Sequence, residues 1–138
     1  VARIATRYGF NDVPIDCPSR DAVITTDAQR LERIVSNLLI NARDHADGPV
    51  RITVDASSES CTIGVWDKGP GVAPSESERI FERFARGSAS RNRAGTGLGL
   101  ALVAEHARAL GGSAWVEAAP ERGSVFFVRI LSQSAVSL

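Results

Sequence analysis

The spacing of apolar residues predicts three helices. Apolar residues recur at three- and four-residue steps from Leu31 to Ala46, which is the period of an amphipathic helix. Asp27 is placed to cap the beginning of this helix, and the Asp-Gly-Pro sequence after Ala46 predicts its end. Two shorter helices are predicted at residues 76–84 and 98–110, the second ended by two glycines.

Alternating apolar and polar residues predict five strands, at residues 22–25, 50–54, 61–65, 113–117 and 124–131. Short polar turns join the second strand to the third and the fourth to the fifth, so both pairs are expected to form hairpins. Residues 1–22 are predicted to be extended, and the tail at 132–138 is expected to fray. We therefore predict one α+β domain over residues 1–138. It is a two-layer sandwich, in which a mixed, mostly antiparallel sheet of about five strands is covered on one face by three helices.

Composition narrows the class of protein. With 138 residues, 43% hydrophobic and 23% charged, the chain is typical of one globular domain. Its formal net charge is zero, so no nucleic-acid partner is expected. We also expect the isolated domain to be a monomer. Cys17 and Cys61 lack the spacing of a metal site. The chain begins at Val1 and contains no methionine, so we expect it to be part of a longer protein. Its arginine-rich composition suggests a GC-rich bacterium.

Three polar side chains form a stripe along the long predicted helix. Asn37, Asn41 and His45 follow one another at four-residue steps, at the margin of the apolar face. Asparagine is a poor helix former, so its presence there calls for a role. Amide oxygens can coordinate Mg²⁺, while hydrogen bonding to a neighbouring loop is the alternative.

Asp67 follows the third predicted strand and begins the sequence DKGPG. A carboxylate at a strand end can accept a hydrogen bond from an exocyclic amine. Gly69 and Gly71 would let the backbone approach a flat ring. A simple Pro-Gly turn is the alternative.

The sequence GTGLGL, from Gly95 to Leu100, places three glycines at alternate positions before a helix. Its third glycine comes one residue too early for a dinucleotide-binding fingerprint, and it lacks the lysine of a P-loop. Backbone N–H groups at a helix start can hold an anion, which indicates a phosphate site. A flexible loop without a ligand remains the alternative.

A basic loop precedes these glycines. Ile80, Phe81 and Phe84 lie at helical spacing and are expected to pack in the core. Residues 87–93 are small, polar and basic, so we expect this loop to be poorly ordered without a ligand. Arginines at 86, 91 and 93 could reach phosphate oxygens, although a solvent-exposed basic loop is the alternative for the last two.

These four blocks, in this order and spacing, resemble the catalytic ATP-binding domain of bacterial sensor histidine kinases, which have the Bergerat ATP-binding fold of the GHKL group. NLLINA at 37–42 resembles the N box, DKGPG at 67–71 the G1 box, FERF at 81–84 the F box and GTGLGL at 95–100 the G2 box. The resemblance extends over about residues 23–131.

The resemblance implies ATP and Mg²⁺ as ligands and assigns roles to individual residues. Asn41 would bind Mg²⁺, Asp67 would contact the adenine amino group, and residues 72–95 would include the F-box region and the ATP lid. Catalytic roles would fall to Asn37, Asn41 and Arg86. The implied nucleotide-binding set comprises Asn37, Asn41, His45, Asp67, Gly69, Gly71, Val72, Arg86, Gly95, Thr96, Gly97, Leu98, Gly99 and Leu100.

The resemblance also implies a reaction. Hydrolysing relatives carry a glutamate where this chain has Asn37, and an amide cannot act as a general base near neutral pH. We therefore expect transfer of the γ-phosphoryl group to a histidine on a separate helical domain of the same kinase, with a response regulator as indirect partner. His45 and His106 lack the setting of a phosphoacceptor. The domain would be the cytoplasmic part of a membrane sensor protein.

Asp44 stands where the family usually has a basic residue, so we expect modest nucleotide affinity. Two other functions remain open. The chain would otherwise be a degenerate nucleotide-binding or interaction module, or an ATP-hydrolysing or serine-phosphorylating relative on the same fold.

Overall fold

The computed structural model describes residues 1–18, 21–82 and 99–133. Within these ranges three helices, five strands and one 3-10 turn follow one another along the chain. In order they are α1 (Ala2–Arg7), β1 (Ile15–Asp16), α2 (Ala28–Ala46), β2 (Pro49–Ala56), β3 (Ser60–Asp67), the 3-10 turn (Arg79–Phe81), α3 (Gly99–Ala109), β4 (Ser113–Ala118) and β5 (Ser124–Leu131).

The five strands form one mixed sheet in the order β1-β2-β3-β5-β4. β1 is parallel to β2, and the other three pairings are antiparallel. α2 packs on β2 and β3, and α3 packs on β4, β5 and α2, so the helices cover one face of the sheet. The predicted two-layer α+β sandwich is confirmed.

The core lies between α2, α3 and the covered face of the sheet. Isoleucine and leucine side chains of α2 meet the inward-facing residues of β2, β3 and β5, and the largest of these are fully buried. They are Ile34, Leu38, Leu39, Ile52, Ile63, Val65, Val128 and Ile130. Because strand side chains alternate between faces, the members from β3 and from β5 stand two residues apart. The apolar residues that the periodicity singled out in α2, β2, β3 and β5 therefore form the core.

Both ends of α2 are where the sequence places them. The Asp27 carboxylate accepts hydrogen bonds from the backbone N–H groups of Gln29 and Arg30, at 3.0 and 3.2 Å. Asp47 ends the helix in the left-handed conformation with φ 61°, and the Gly48 N–H donates to the Ala42 carbonyl at 2.9 Å. These caps satisfy backbone groups that a helix leaves unpaired at its ends.

The prediction that residues 1–22 are extended is wrong at its beginning, because α1 occupies Ala2–Arg7. Ile4 and Ala5 are buried, and Arg7 forms an ion pair with Glu32 of α2. A six-residue helix is too short to be stable on its own, so contacts with α2 decide its conformation.

The first predicted strand is also misplaced. The edge strand of the sheet is Ile15–Asp16, whereas residues 22–25 do not pair with any strand of the sheet. The backbone of Thr25 instead meets the chain after β5: its carbonyl accepts from the Gln133 N–H at 2.7 Å, and its N–H donates to Ser132 Oγ at 2.9 Å. These bonds also show that Ser132 and Gln133, predicted to fray, are anchored. Residues 134–138 lie outside the described part of the chain.

The short helix predicted at residues 76–84 is reduced to the 3-10 turn at Arg79–Phe81 in the part that the structure describes. Ile80 is buried, and the Phe81 ring packs edge-on against Phe126 with centroids 6.4 Å apart. The predicted core role of these two residues is confirmed. Phe84 lies outside the described residues. The contacts of Ile80 and Phe81 thus hold this 3-10 turn against the core.

No helix in the described ranges has both the length and the apolar character needed to cross a membrane.

Candidate ATP site

The polar stripe of α2 lies where the sequence predicts it. Asn37, Asn41 and His45 are all partly buried, and the neighbouring Leu38 and Ala42 are fully buried. The stripe therefore runs along the boundary between the core and the surface. Side chains at such a boundary can contact a bound ligand while the helix remains packed.

Asp67 ends β3 and is the most buried carboxylate of the described residues, with 4% of its surface exposed. Its Oδ1 accepts hydrogen bonds from the backbone N–H groups of Gly69 at 2.9 Å and of Ser124 at 3.3 Å. In the described part of the chain both of these bonds go to Oδ1, so Oδ2 can accept from a ligand. Burial raises the pKa of Asp67, and the two N–H groups partly oppose this increase.

Gly69 brings the loop after β3 against the end of α2. A Cβ atom at this position would lie 2.5 Å from the Ala46 Cβ, so only glycine permits this approach. Ala46 directly follows His45, so the last residue of the polar stripe lies beside the loop that follows Asp67. Gly71 adopts φ +82°, and Val72 packs partly buried against the core.

The middle of α2 meets the beginning of α3. A Cβ atom placed on Gly99 would lie 3.9 Å from Asn37 Oδ1, so this amide oxygen faces the first residue of α3. Leu100, the next residue, packs against the core. Because the N–H groups at a helix start attract anions, a phosphate held at α3 would lie near the asparagine stripe.

Several predicted site residues cannot be placed. Arg86, Gly95, Thr96, Gly97 and Leu98 lie outside the described residues, as does the predicted mobile segment 87–93. The described residues thus include Asp67 and the loop after it, where the adenine base is predicted to bind, together with the asparagine stripe and the first residues of α3.

Asp44 is paired with its neighbour on the helix. Arg43 Nε donates to Asp44 Oδ1 at 3.1 Å, and both side chains are substantially exposed. Arg43 thereby offsets the charge that Asp44 introduces at a position where the resembled family usually has a basic residue.

The chemistry of the described donors fits a magnesium ion held largely by phosphate. No group of three or more histidine, cysteine, aspartate or glutamate side chains within the described ranges is arranged to hold a metal. Asn41 offers a neutral amide oxygen, which suits Mg²⁺ when nucleotide phosphates supply the negative charge.

β5 also contributes to this site, which the sequence did not predict. Ser124 begins that strand and lies 57 residues from Asp67 along the chain, yet its N–H helps to fix the carboxylate. The only local signal was the glycine that precedes Ser124, which indicated a turn and no contact.

Comparison with known proteins identifies the family. The sequence pattern of the family described as histidine kinase-, DNA gyrase B- and HSP90-like ATPase matches residues 26–134. The chain belongs to this ATPase family. It is 42% identical over 130 residues to the signal transduction histidine-protein kinase AfsQ2 of Streptomyces coelicolor, covering 94% of this chain. The chain spans about a quarter of that relative, 24% of its length.

Solved structures share the fold of this ATPase domain. The ATP binding domain of PrrB from Mycobacterium tuberculosis is 28% identical, with a TM-score of 0.70 over 96% of this chain and 90% of that chain. Full-length ShkA in complex with AMPPNP is 29% identical, with a TM-score of 0.70 over 99% of this chain and 29% of that chain. The predicted resemblance to the ATP-binding domain of sensor histidine kinases is confirmed.

Proposed function

We propose that this chain, as the ATP-binding catalytic domain of a sensor histidine kinase, binds Mg-ATP and donates the γ-phosphoryl group. The acceptor is a histidine on a separate helical domain of the same kinase. A response regulator then receives the phosphoryl group. The observation that carries this proposal is the buried Asp67 carboxylate, fixed through Oδ1 beside a glycine-containing loop.

Asp67 would select adenine. Its Oδ2 would accept a hydrogen bond from the exocyclic amino group, which guanine and hypoxanthine replace with a carbonyl oxygen. Two hydrogen bonds to Oδ1 keep the carboxylate from rotating, so the contact costs little reorganisation when the base binds. Gly69 and Gly71 would line the pocket with backbone alone.

The phosphates would lie between α2 and the start of α3. Asn37 faces Gly99, and Asn41 lies one turn further along α2. Residues 95–98 and Arg86 would complete this side, as the family resemblance implies. Mg²⁺, when bound to Asn41 and the phosphates, would neutralise negative charge on the transferred group.

Asn37 favours transfer over hydrolysis. Its amide can donate or accept a hydrogen bond but cannot remove a proton from water near neutral pH. The domain would therefore position ATP and stabilise the charge on the transferred phosphoryl group. The acceptor would be a histidine of another domain that docks against this one. Measurable steady-state ATP hydrolysis by the isolated chain would favour the hydrolysing alternative.

The two histidines of the chain are poorly suited to accept the phosphoryl group. His106 lies on α3, and its Nδ1 receives a hydrogen bond from Arg30 at 3.0 Å. Because an arginine N–H can only donate, this contact occupies the lone pair of Nδ1 and places the proton of the neutral ring on Nε2. His45 is partly buried within the polar stripe.

Calorimetric titration tests nucleotide binding. ADP and a non-hydrolysable ATP analogue are titrated into the chain with and without Mg²⁺. We expect saturable binding of both, with Mg²⁺ increasing the affinity for the triphosphate more. No saturation at millimolar nucleotide would overturn the proposal and favour the degenerate module.

Incubation with γ-labelled ATP tests whether the phosphoryl group is accepted by this chain or by a separate domain. We expect no acid-labile label on the isolated chain, and label on the helical phosphoacceptor domain of the parent kinase when that domain is added. Stable label on His45 or His106 would contradict the proposed role of a separate acceptor.

A further inference from the structure

The turn between β4 and β5 packs against Asp67 at the end of β3 and against the loop that follows it. This turn lies at residues 119–123, and the Ala119 N–H closes it by donating to the Gly123 carbonyl at 3.1 Å. It belongs to none of the four sequence blocks that indicated nucleotide binding. Its hydrogen bond to the segment 67–71 joins residues 53 positions apart in the chain.

Gly123 makes a very close approach to this segment. A Cβ atom at this position would lie 2.0 Å from the Asp67 carbonyl oxygen and 2.7 Å from the Lys68 Cα. Gly123 also adopts φ +93°, a conformation that side chains rarely allow. The two backbone segments therefore touch directly, and any side chain here would displace the residue that carries the carboxylate.

Arg122 and Ser124 extend the contact on either side. Arg122 Nε donates to the Gly69 carbonyl at 3.4 Å, while the Ser124 N–H donates to Asp67 Oδ1 at 3.3 Å. Gly69 is also the residue whose N–H donates to Asp67 Oδ1. Arg122 thus holds, through the carbonyl of Gly69, the residue whose N–H is one of the two donors to the carboxylate.

We infer that Arg122 and Gly123 are positioning residues for base recognition, and that they act by holding Asp67 and Gly69 in place. This inference rests on the proposed function of Asp67. Neither residue needs to contact the nucleotide. Loosening the turn allows the carboxylate to move, and the protein then loses preference for a base with an amino group more than it loses affinity for phosphates.

Two substitutions with matched controls test the inference. Gly123→Ala introduces a left-handed alanine and a clash with Asp67. Gly9→Ala introduces the same strain at φ +87°, with no atom within 4 Å of the added Cβ. Arg122→Leu removes the donor to Gly69, and Arg129→Leu removes an exposed arginine elsewhere on β5.

The first measurement needs no nucleotide. Amide hydrogen exchange, followed by NMR in the free chain, reports how firmly Gly69 N–H is held. We expect Arg122→Leu to accelerate this exchange by about threefold to tenfold, the loss of one modest hydrogen bond, while Arg129→Leu leaves it unchanged. Unchanged exchange in Arg122→Leu would overturn the inference, whether or not the chain binds nucleotide.

The second measurement is the dissociation constant for inosine diphosphate (IDP) divided by that for ADP. The two nucleotides differ in the group that would face Asp67, a carbonyl oxygen in IDP and an amino group in ADP. We expect Arg122→Leu to lower this ratio by about threefold to tenfold, and Gly123→Ala to lower it further. Gly9→Ala should lower the melting temperature and leave the ratio unchanged. Wild-type ratios in Arg122→Leu and Gly123→Ala would refute the inference. If Gly123→Ala does not fold, Arg122→Leu decides alone. A wild-type chain with no preference for ADP would instead refute the proposed function.

Discussion

Replacing Asp67 with asparagine separates nucleotide binding from stability. The two side chains have nearly the same shape. In Asp67→Asn the amide oxygen can occupy the position of Oδ1 and keep both hydrogen bonds, from Gly69 and Ser124. The amide nitrogen then takes the place of Oδ2. That position would face the amino group of adenine.

The expected loss of affinity follows from this exchange. The variant loses a hydrogen bond to a charged acceptor, which contributes about 1.5–3 kcal/mol, and places two donors opposite each other. We therefore expect the dissociation constant for ADP to rise by roughly 10- to 150-fold. The constant for IDP should fall, because its carbonyl oxygen faces an acceptor in the wild type and can accept a hydrogen bond from the new amide.

The stability of the folded protein should not fall with the affinity for ADP. Burial raises the pKa of Asp67 in the folded protein above that of the unfolded chain. Between these two pKa values the folded state binds more protons, so the Asp67 contribution to stability falls as pH rises and stays lower above the folded pKa. Asp67→Asn removes this titration, and we expect it to be as stable as the wild type near neutral pH, or more stable.

Calorimetry and urea denaturation check the two halves together. ADP and IDP are titrated near neutral pH, and the free energy of unfolding is measured from about pH 4 to pH 7, the range above the ordinary aspartate pKa. Asp55→Asn, at an exposed position of β2, controls for the change in net charge. Wild-type ADP affinity in Asp67→Asn, or a loss of stability near neutral pH with binding retained, would contradict the role assigned to Asp67.

Substitutions at three further positions test other parts of the structure. Gly64→Ala should lower the melting temperature by several degrees, equivalent to about 1–3 kcal/mol, because its Cβ would lie 2.9 Å from the Phe127 ring; an unchanged melting temperature in thermal denaturation would contradict this. Asp27→Ala should reduce the free energy of unfolding in urea by about 1 kcal/mol, since α2 loses its cap, while Asp27→Ser should restore most of it. Asp44→Lys should tighten ATP binding by about threefold to tenfold at low salt and less at high salt; an equal effect on binding of adenosine would show that phosphate attraction is not the cause.

The candidate site was predictable where it depends on local sequence. The stripe on α2 follows from four-residue spacing within one helix, and Asp67 follows from its place at the end of an alternating strand. The order of the four blocks then indicated the ligand. The hydrogen bond from Ser124 to Asp67 could not be predicted in this way, because it depends on the pairing of β3 with β5.

Local sequence alone predicts the limits of α2, the two hairpins, and the positions of the polar stripe and of Asp67. Periodicity and capping act over a few residues, so one chain segment contains all the information they need. Tertiary contacts are needed to make Ala2–Arg7 helical and to place Ile15–Asp16 at the edge of the sheet. They are also needed to bring the turn before β5 against the loop after β3. Each of these features depends on contacts between residues far apart in the chain, where burial and backbone pairing outweigh local preference.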